Sequence, residues 1–201
     1  MNISAYPLME DFYTIQGEGF NTGKAAYFLR LGGCEVGCVW CDVKESWKAE
    51  DHPLVSVDEM LQRVILSGAD KVVVTGGEPA MYDLKPMTDL LRKNNRKCFI
   101  ETSGAYTLSG DWDWICVSPK KFKAPLAEVL KVADELKVVV YNKSDFEWAE
   151  SHAQLVSPEC RLYLQPEYSV HEKMMPVIID YVKKNTLWRI SLQTHKIIGV
   201  R

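Results

Sequence analysis

The chain has 201 residues, with 24 Lys or Arg against 27 Asp or Glu and a formal net charge of -3. This length suits one buried core, so we expect a single domain over residues 1–201. The weak charge and the scattered basic residues exclude an electrostatic footprint for nucleic acid. No apolar stretch is long enough to span a bilayer and no signal segment precedes the first motif, so the sequence predicts a cytoplasmic protein without a membrane partner.

Apolar, β-branched runs predict the strands of the fold. In chain order they cover residues 25–31, 71–75, 97–101, 114–118, 136–141, 161–165 and 187–192. Several of these runs are continuous and do not alternate, which is typical of parallel strands buried on both faces.

Two stretches between the strands have the apolar spacing of amphipathic helices. Residues 57–65 follow a capping box formed by Ser56 and Glu59, and Gly68 supplies a stop signal. Residues 170–182 show the same spacing, but Pro176 predicts that this helix starts or kinks there.

Strands that alternate with helices predict βαβ units with right-handed connections, which form either a barrel or a doubly wound sheet. A complete eightfold barrel needs about 250 residues, and this chain has material for roughly six or seven units. The sequence therefore predicts an α/β fold, a partial, open TIM-like βα barrel. Functional residues should then gather at the carboxyl ends of the strands.

A cysteine motif follows the first of these strands, with the spacing Cys34-x3-Cys38-x2-Cys41. Thiolates are the standard ligands of iron–sulfur clusters, and three thiolates leave one iron of a four-iron cluster open. A structural zinc site, completed by His52 or by a distant cysteine, is the alternative. The remaining cysteines lie in or beside apolar runs and are interpreted as small buried side chains, namely Cys98, Cys116 and Cys160.

The cysteine spacing, its surrounding glycines and the aromatic Trp40 resemble the signature of the radical S-adenosylmethionine (SAM) superfamily. The TGGEP turn at residues 75–79 resembles a second feature of that superfamily, in which glycines allow close backbone approach to SAM. The resemblance implies a [4Fe-4S] cluster held by the three cysteines and SAM chelated at the open iron. It also implies reductive cleavage of SAM to a 5′-deoxyadenosyl radical, which removes hydrogen from unactivated carbon.

Further motifs narrow the resemblance: FYTIQGEG at residues 12–19, ETSG at 101–104, VSPK at 117–120 and QTHK at 193–196. Together they resemble the 7-carboxy-7-deazaguanine synthase family from about residue 10 to the last residue. That family converts 6-carboxy-5,6,7,8-tetrahydropterin into 7-carboxy-7-deazaguanine with loss of ammonia, on the route to deazapurines such as queuosine. The resemblance further implies a reductant such as flavodoxin and a homodimer that covers an exposed sheet edge.

The resemblance also implies roles for individual residues. Around SAM it places Gly77, Glu78, Ser103, Ser118, Pro119, Lys120, Gln165, Pro166, Glu167 and Tyr168. Around the pterin it places Ile15, Gln16, Gly17, Arg30, Thr75, His195 and Arg201. Arg30 would pair bidentately with the pterin carboxylate, and Glu101 would assist proton movement. The alternatives are a surface position for Arg30, a structural role for His195 and a turn-bracing role for Gln16.

One position departs from the family pattern. Many members follow the last cluster cysteine with Asp-Thr, whose hydroxyl helps to bind Mg²⁺, whereas this chain has Asp42-Val43. Valine offers no side-chain oxygen to this hard cation, so magnesium must be held by substrate, water, backbone or Asp42, or be dispensable. We therefore predict a weak magnesium dependence.

Two other functional classes remain open from the sequence. One is a small radical SAM activase that generates a glycyl radical on a protein partner, and the other is a non-catalytic zinc or cluster-binding module. The activase would not need the TIQGEG and QTHK segments. The module would not need the glycine-rich turn, the SPK motif and the cysteines at successive strand ends.

Overall fold

The structure is a computed structural model that describes residues 4–201. Within these residues the strands are β1 (Ala5–Ile15), β2 (Ala25–Leu31), β3 (Leu54–Ser56), β4 (Lys71–Gly76), β5 (Lys97–Thr102), β6 (Trp114–Val117), β7 (Glu135–Val140), β8 (Arg161–Pro166) and β9 (Trp188–Ile190). The helices are α1 (Val57–Ser67), α2 (Lys85–Lys93), α3 (Ala127–Lys131), α4 (Asp145–Ala153), α5 (His171–Lys184) and α6 (Thr194–Ile198).

All strands belong to one sheet with the order β3-β1-β2-β4-β5-β6-β7-β8-β9. In the part of the sheet that runs β2-β4-β5-β6-β7-β8-β9, every pair of adjacent strands is parallel. β1 pairs antiparallel with both of its neighbours, β2 and β3. The edge strands β3 and β9 do not pair with each other, so the sheet is open. This architecture confirms the predicted open, partial barrel.

Every strand predicted from an apolar run is present, and the observed bounds differ from the predicted ones by at most two residues. β1 and β3 were not predicted from the sequence. β1 contains Pro7 and the acidic pair Glu10 and Asp11, so its sequence lacks the continuous apolar pattern of the parallel strands. β3 has only three residues, too few for any periodicity to show.

The two predicted helices differ in how well their bounds were anticipated. In α1 the Ser56 hydroxyl accepts the N–H of Glu59 at 3.2 Å, and Gly68 ends the helix at a φ of 75°, which confirms the Ser56 N-cap and the stop, while the Glu59 carboxylate pairs with Arg63. The expected start at Pro176 is wrong, because α5 begins at His171 and carries Pro176 inside it. Burial of Met174 on the apolar face stabilises the turns before the proline and offsets its missing hydrogen bond.

The parallel strands present different chemistry on their two faces. One face is apolar and packs against the helices in two clusters, one with α1 and α2 and the other with α3, α4 and α5. On the opposite face, Arg30 pairs in register with Thr75, and Glu101 pairs with Cys116. Because residues in register share a face of a sheet, these side chains form a polar surface inside the open barrel.

The three cysteines outside the motif are buried, as predicted. Burial raises the pKa of Cys98 and of Cys160 to about 12 and holds that of Cys116 well above its usual value. Cys98 and Cys160 belong to the two apolar clusters of the core, where they fill space as small buried side chains.

Within residues 4–201, no helix combines the length and the apolar character needed to cross a bilayer.

Candidate active site

A cavity of about 290 Å³ lies at the carboxyl ends of the parallel strands. Every predicted site residue except Pro119 lines it: Ile15, Gln16, Gly17, Arg30, Cys34, Cys38, Cys41, Thr75, Gly77, Glu78, Glu101, Ser103, Ser118, Lys120, Gln165, Pro166, Glu167, Tyr168, His195 and Arg201. Pro119 is buried between two lining residues. The structure therefore brings together motifs that lie far apart in the sequence.

The cysteine loop forms one wall of this cavity. It is held by backbone hydrogen bonds, since Cys34 N–H donates to the Trp47 carbonyl at 3.0 Å and Cys41 N–H donates to the Cys38 carbonyl at 3.1 Å. All three cysteines line the cavity, so a four-iron cluster bound by their thiolates would present its remaining iron to the cavity.

His52, the proposed fourth ligand of a zinc site, does not line the cavity that the three cysteines line. Its Nε2 lies 2.9 Å from the carbonyl oxygen of Glu45, and its ring packs so closely on Gly32 that a Cβ there would lie 2.2 Å from the ring. Among residues 4–201, no three His, Cys, Asp or Glu side chains converge on a single metal ion such as zinc, whereas a four-iron cluster takes one thiolate at each iron that the protein binds. His52 thus packs as a structural residue.

The glycine-rich turn after β4 supports the cysteine loop directly. Gly77 N–H donates to the Leu31 carbonyl at 2.9 Å, and Glu78 N–H donates to the Gly33 carbonyl at 2.8 Å. A Cβ on Gly77 would lie 2.4 Å from the Gly33 oxygen and 2.8 Å from the Cys34 Cβ. Glycine is therefore required at position 77 because the turn after β4 touches the cysteine loop here, whether or not a ligand also approaches.

Glu78 is buried and fully used by hydrogen-bond donors of the protein. Its Oε1 accepts from Ala80 N–H at 3.0 Å and from the Thr102 hydroxyl at 2.5 Å. Its Oε2 accepts from Ser103 N–H at 2.8 Å and from the Ser103 hydroxyl. The carboxylate consequently ties the glycine-rich turn to the end of β5 and fixes Ser103 at the cavity.

Gln16 connects the TIQGEG segment to the floor of the cavity. Its Nε2 donates to Glu101 Oε1 at 2.8 Å, and its Oε1 accepts the N–H of Glu18 at 3.1 Å. The orientation of the Glu101 carboxylate in the cavity is therefore set by Gln16.

The C-terminal segment lies against the same part of the chain. The N–H and the hydroxyl of Thr194 both donate to the Gly17 carbonyl, at 2.9 and 3.0 Å. A Cβ on Gly17 would lie 2.1 Å from His195 Nδ1, so only glycine allows this packing. Burial lowers the pKa of His195, which keeps its imidazole neutral at neutral pH.

Lys120, the last residue of the VSPK motif, contacts the cysteine loop through Trp40. Its Nζ donates to the Ser118 hydroxyl at 2.6 Å and lies 5.5 Å from the centre of the Trp40 ring. Burial lowers the pKa of Lys120.

An ion pair between Lys137 and Glu18 lines the cavity and was missed by the sequence analysis. The Lys137 side chain is 5% exposed, and Gln193 Nε2 also donates to Glu18 at 2.9 Å. Although burial acts to raise it, the charge of Lys137 and the hydrogen bonds lower the pKa of Glu18 to about 2. The available signal was the position of Lys137 within an apolar strand, since a buried lysine needs a charged partner.

The residues next to the last cysteine also line the cavity. The Val43 carbonyl is already occupied, because it accepts the Ser46 hydroxyl at 2.7 Å and the Ser46 N–H at 3.0 Å. Asp42 is therefore the side-chain oxygen donor that this dipeptide offers to the cavity.

Comparisons with known proteins agree with the geometry. The model of the radical SAM superfamily matches residues 29–116. A 7-carboxy-7-deazaguanine synthase of Flavobacterium psychrophilum is 54% identical over 194 residues, which cover 96% of this chain and 92% of the relative. The enzyme of the same name from Escherichia coli K12 is 37% identical over 222 residues, with coverage of 97% and 99%.

A solved structure shows the same fold. The crystal structure of QueE from Escherichia coli aligns with a TM-score of 0.85 at 36% identity and covers 94% of each chain. Identity of this degree extends over nearly the full length of the relatives. The chain belongs to the 7-carboxy-7-deazaguanine synthase family of radical SAM enzymes.

Proposed function

We propose that this chain is a lyase that converts 6-carboxy-5,6,7,8-tetrahydropterin into 7-carboxy-7-deazaguanine with release of ammonia. The main support for this proposal is that the three cysteines, the TIQGEG segment and the C-terminal segment line one and the same cavity. A site of this kind suits a small planar substrate placed beside a cluster-bound cofactor. The product would serve the synthesis of deazapurines such as queuosine.

The cluster and SAM would occupy the side of the cavity near the cysteine loop. Cys34, Cys38 and Cys41 would hold a [4Fe-4S] cluster and leave one iron for SAM. When bound, the two groups supply the one-electron chemistry that removes a hydrogen atom from substrate carbon. The residues that would surround SAM are Gly77, Ser103, Ser118, Lys120, Gln165, Pro166, Glu167 and Tyr168, with Glu78 as the support of Ser103 and Pro119 behind the lining.

The pterin would occupy the opposite side. Its carboxylate would pair with the guanidinium of Arg30, which is suited to bidentate binding. The residues that would contact the ring or close over it are Ile15, Gln16, Gly17, Thr75, His195 and Arg201. Glu101, held by Gln16 at 2.8 Å, would accept or donate a proton during ring contraction.

Magnesium would bind more weakly at this site than at a site with threonine at position 43. Val43 has no side-chain oxygen and its carbonyl is occupied by Ser46, so Asp42, water and the substrate carboxylate would supply the ligands. We therefore infer that magnesium contributes little to turnover.

The remaining inferences concern partners and location. We expect a single domain that works in the cytoplasm, accepts electrons from a protein such as flavodoxin and forms a homodimer across a sheet edge. Size-exclusion chromatography with light scattering would test the dimer. The glycyl-radical activase is not favoured, because the chain belongs to a family named for a small-molecule product.

The function can be tested by anaerobic reconstitution with iron and sulfide, followed by addition of SAM, dithionite and the carboxytetrahydropterin. Mass spectrometry should detect the deazaguanine, and Cys38→Ala should abolish both SAM cleavage and product. SAM cleavage without product would contradict the substrate assignment, and product formation by Cys38→Ala would contradict the cluster site.

A further inference from the structure

Glu10 lies between two arginines at the edge of the cavity. Its Oε1 accepts from Arg30 Nε at 2.7 Å, and its Oε2 lies 3.1 Å from Arg201 Nη2. The side chains of Arg30 and Glu10 are only 20% and 25% exposed, so this ion pair is partly shielded from water. Glu10 itself does not belong to the lining of the cavity, whereas both arginines do.

A β-bulge turns Glu10 toward Arg30. Leu8 pairs with Leu31, but Glu10 pairs with Arg30, so β1 advances two residues while β2 advances one. Leu8 and Leu31 belong to the apolar core on the helix side of the sheet. In a regular strand Leu8 and Glu10 would share that face, and the bulge instead places the carboxylate opposite Arg30.

The contact through Nε decides how Arg30 presents its remaining donors. A guanidinium has a rigid, planar set of N–H groups, and a carboxylate bound at Nε fixes the plane of that set. The Nη donors then remain for a bidentate pair with an anion in the cavity. Two guanidinium groups also share a single carboxylate, so one positive charge is left for the ligand.

Arg201 is held at the same place by further contacts. Its carbonyl oxygen accepts the Thr14 hydroxyl at 2.9 Å, and its guanidinium lies 5.3 Å from the centre of the Phe12 ring. Phe12 in turn stacks on Phe28 with 5.5 Å between ring centres. The bond to Glu10 therefore attaches the last residue of the chain to the same strand that positions Arg30.

We propose that Glu10 is a positioning residue, which orients Arg30 toward the carboxylate of the pterin and holds Arg201 beside it. This inference rests on the proposed function for the identity of the anion. It makes Glu10 a determinant of selectivity for 6-carboxylated pterins, because its effect passes through the arginine that would bind the carboxylate.

The experiment measures ligand binding, independent of turnover. The full-length protein, reconstituted with its cluster, is titrated with fluorescent 6-carboxypterin and with pterin, which lacks the carboxylate. We expect Glu10→Gln to raise the Kd of 6-carboxypterin about tenfold, the effect of one charge-assisted contact, and to leave the Kd of pterin within about twofold.

Two further variants separate positioning from stability. Asp11→Asn removes the next carboxylate, which pairs with Arg63 at 2.8 Å, and it should leave both Kd values unchanged. Arg30→Lys retains the charge but lacks Nε, so Glu10→Gln should add no further effect in that background. Thermal melts establish that each titrated variant is folded.

The outcomes are distinct from those of the activity assay. An equal loss of affinity for both pterins, a Kd for 6-carboxypterin that is unchanged or lower in Glu10→Gln, or additive effects with Arg30→Lys would each overturn the role of Glu10. Absence of product from the wild-type enzyme, with selective binding retained, would contradict the proposed reaction and leave the positioning role intact.

Discussion

Lys137 on β7 donates a hydrogen bond to the carboxylate of Glu18, 119 positions away in the sequence. Gln193 binds the same carboxylate at 2.9 Å. The pair therefore joins the middle of the sheet, the TIQGEG segment and the C-terminal segment at one buried point. The free energy of folding should depend strongly on both charges.

Replacement of Lys137 by methionine should destabilise the protein severely. The variant leaves the Glu18 carboxylate buried without its counter-ion, which typically costs about 3–5 kcal/mol in the free energy of unfolding. Chemical denaturation of the wild type and of Lys137→Met measures the difference in their free energies of unfolding. Lys85→Met removes an exposed ion pair with Asp89 and should leave the free energy of unfolding nearly unchanged.

A second substitution tests the cause of that loss. Because the cost arises from an unpaired buried charge, Lys137→Met combined with Glu18→Gln should recover part of the stability lost in the single variant. A double variant that is less stable than Lys137→Met alone would show that the carboxylate is well accommodated without the lysine.

Acid should remove the contribution of Glu18 to stability. The pKa of Glu18 falls from 4.5 to about 2 on folding, so its contribution is complete above pH 4.5 and is lost as the pH falls from 4.5 toward 2. Glu18→Gln cannot titrate at this position. We therefore expect the melting temperatures of wild type and Glu18→Gln to differ most near neutral pH and to converge in acid. A constant difference from about pH 7 to about pH 3 would contradict this linkage.

Gly77→Ala should impair cluster assembly. The added Cβ would lie 2.4 Å from the Gly33 carbonyl oxygen and 2.8 Å from the Cys34 Cβ, so the cysteine loop must move. We expect at least about a twofold loss of iron per chain after reconstitution, with a stability loss of about 1–3 kcal/mol. Iron analysis and absorption spectra measure the loading.

The matched control for that variant is Gly68→Ala at the end of α1. It has a φ of 75° and no atom within 4 Å of an added Cβ, so it introduces backbone strain far from the cysteine motif. It should cost about 1 kcal/mol while iron loading stays normal. Equal loss of iron in both glycine variants would attribute the defect to general destabilisation.

Magnesium should have little effect on turnover by the wild-type chain. Chelation is expected to lower the rate by less than about twofold, and Val43→Thr should increase the dependence by adding an oxygen ligand. Assays with and without chelator, then with added Mg²⁺, measure both effects. A large fall restored by magnesium alone in the wild type would contradict the prediction.

The parallel strands and α1 were predictable because their signals are local. Continuous apolar runs identify the parallel strands, and the Ser56 N-cap with Gly68 delimits α1. β1 was not predictable, since the acids in its centre look like loop residues until the bulge is seen, which turns Glu10 toward Arg30 and leaves Asp11 on the helix side beside Arg63. The bounds of α5 depend on the burial of its apolar face, which outweighs Pro176.

The sequence by itself determined the cysteine spacing, the glycine-rich turn and the order of the motifs, because each depends on neighbouring residues. Tertiary structure alone decided which charges meet, since Glu10 reaches Arg30 through the register of β1 on β2, and Glu18 reaches Lys137 across the open barrel. Such pairs depend on side-chain direction and on the exclusion of water, neither of which is encoded in local spacing. The active-site cavity is therefore built from local motifs and oriented by long-range ion pairs.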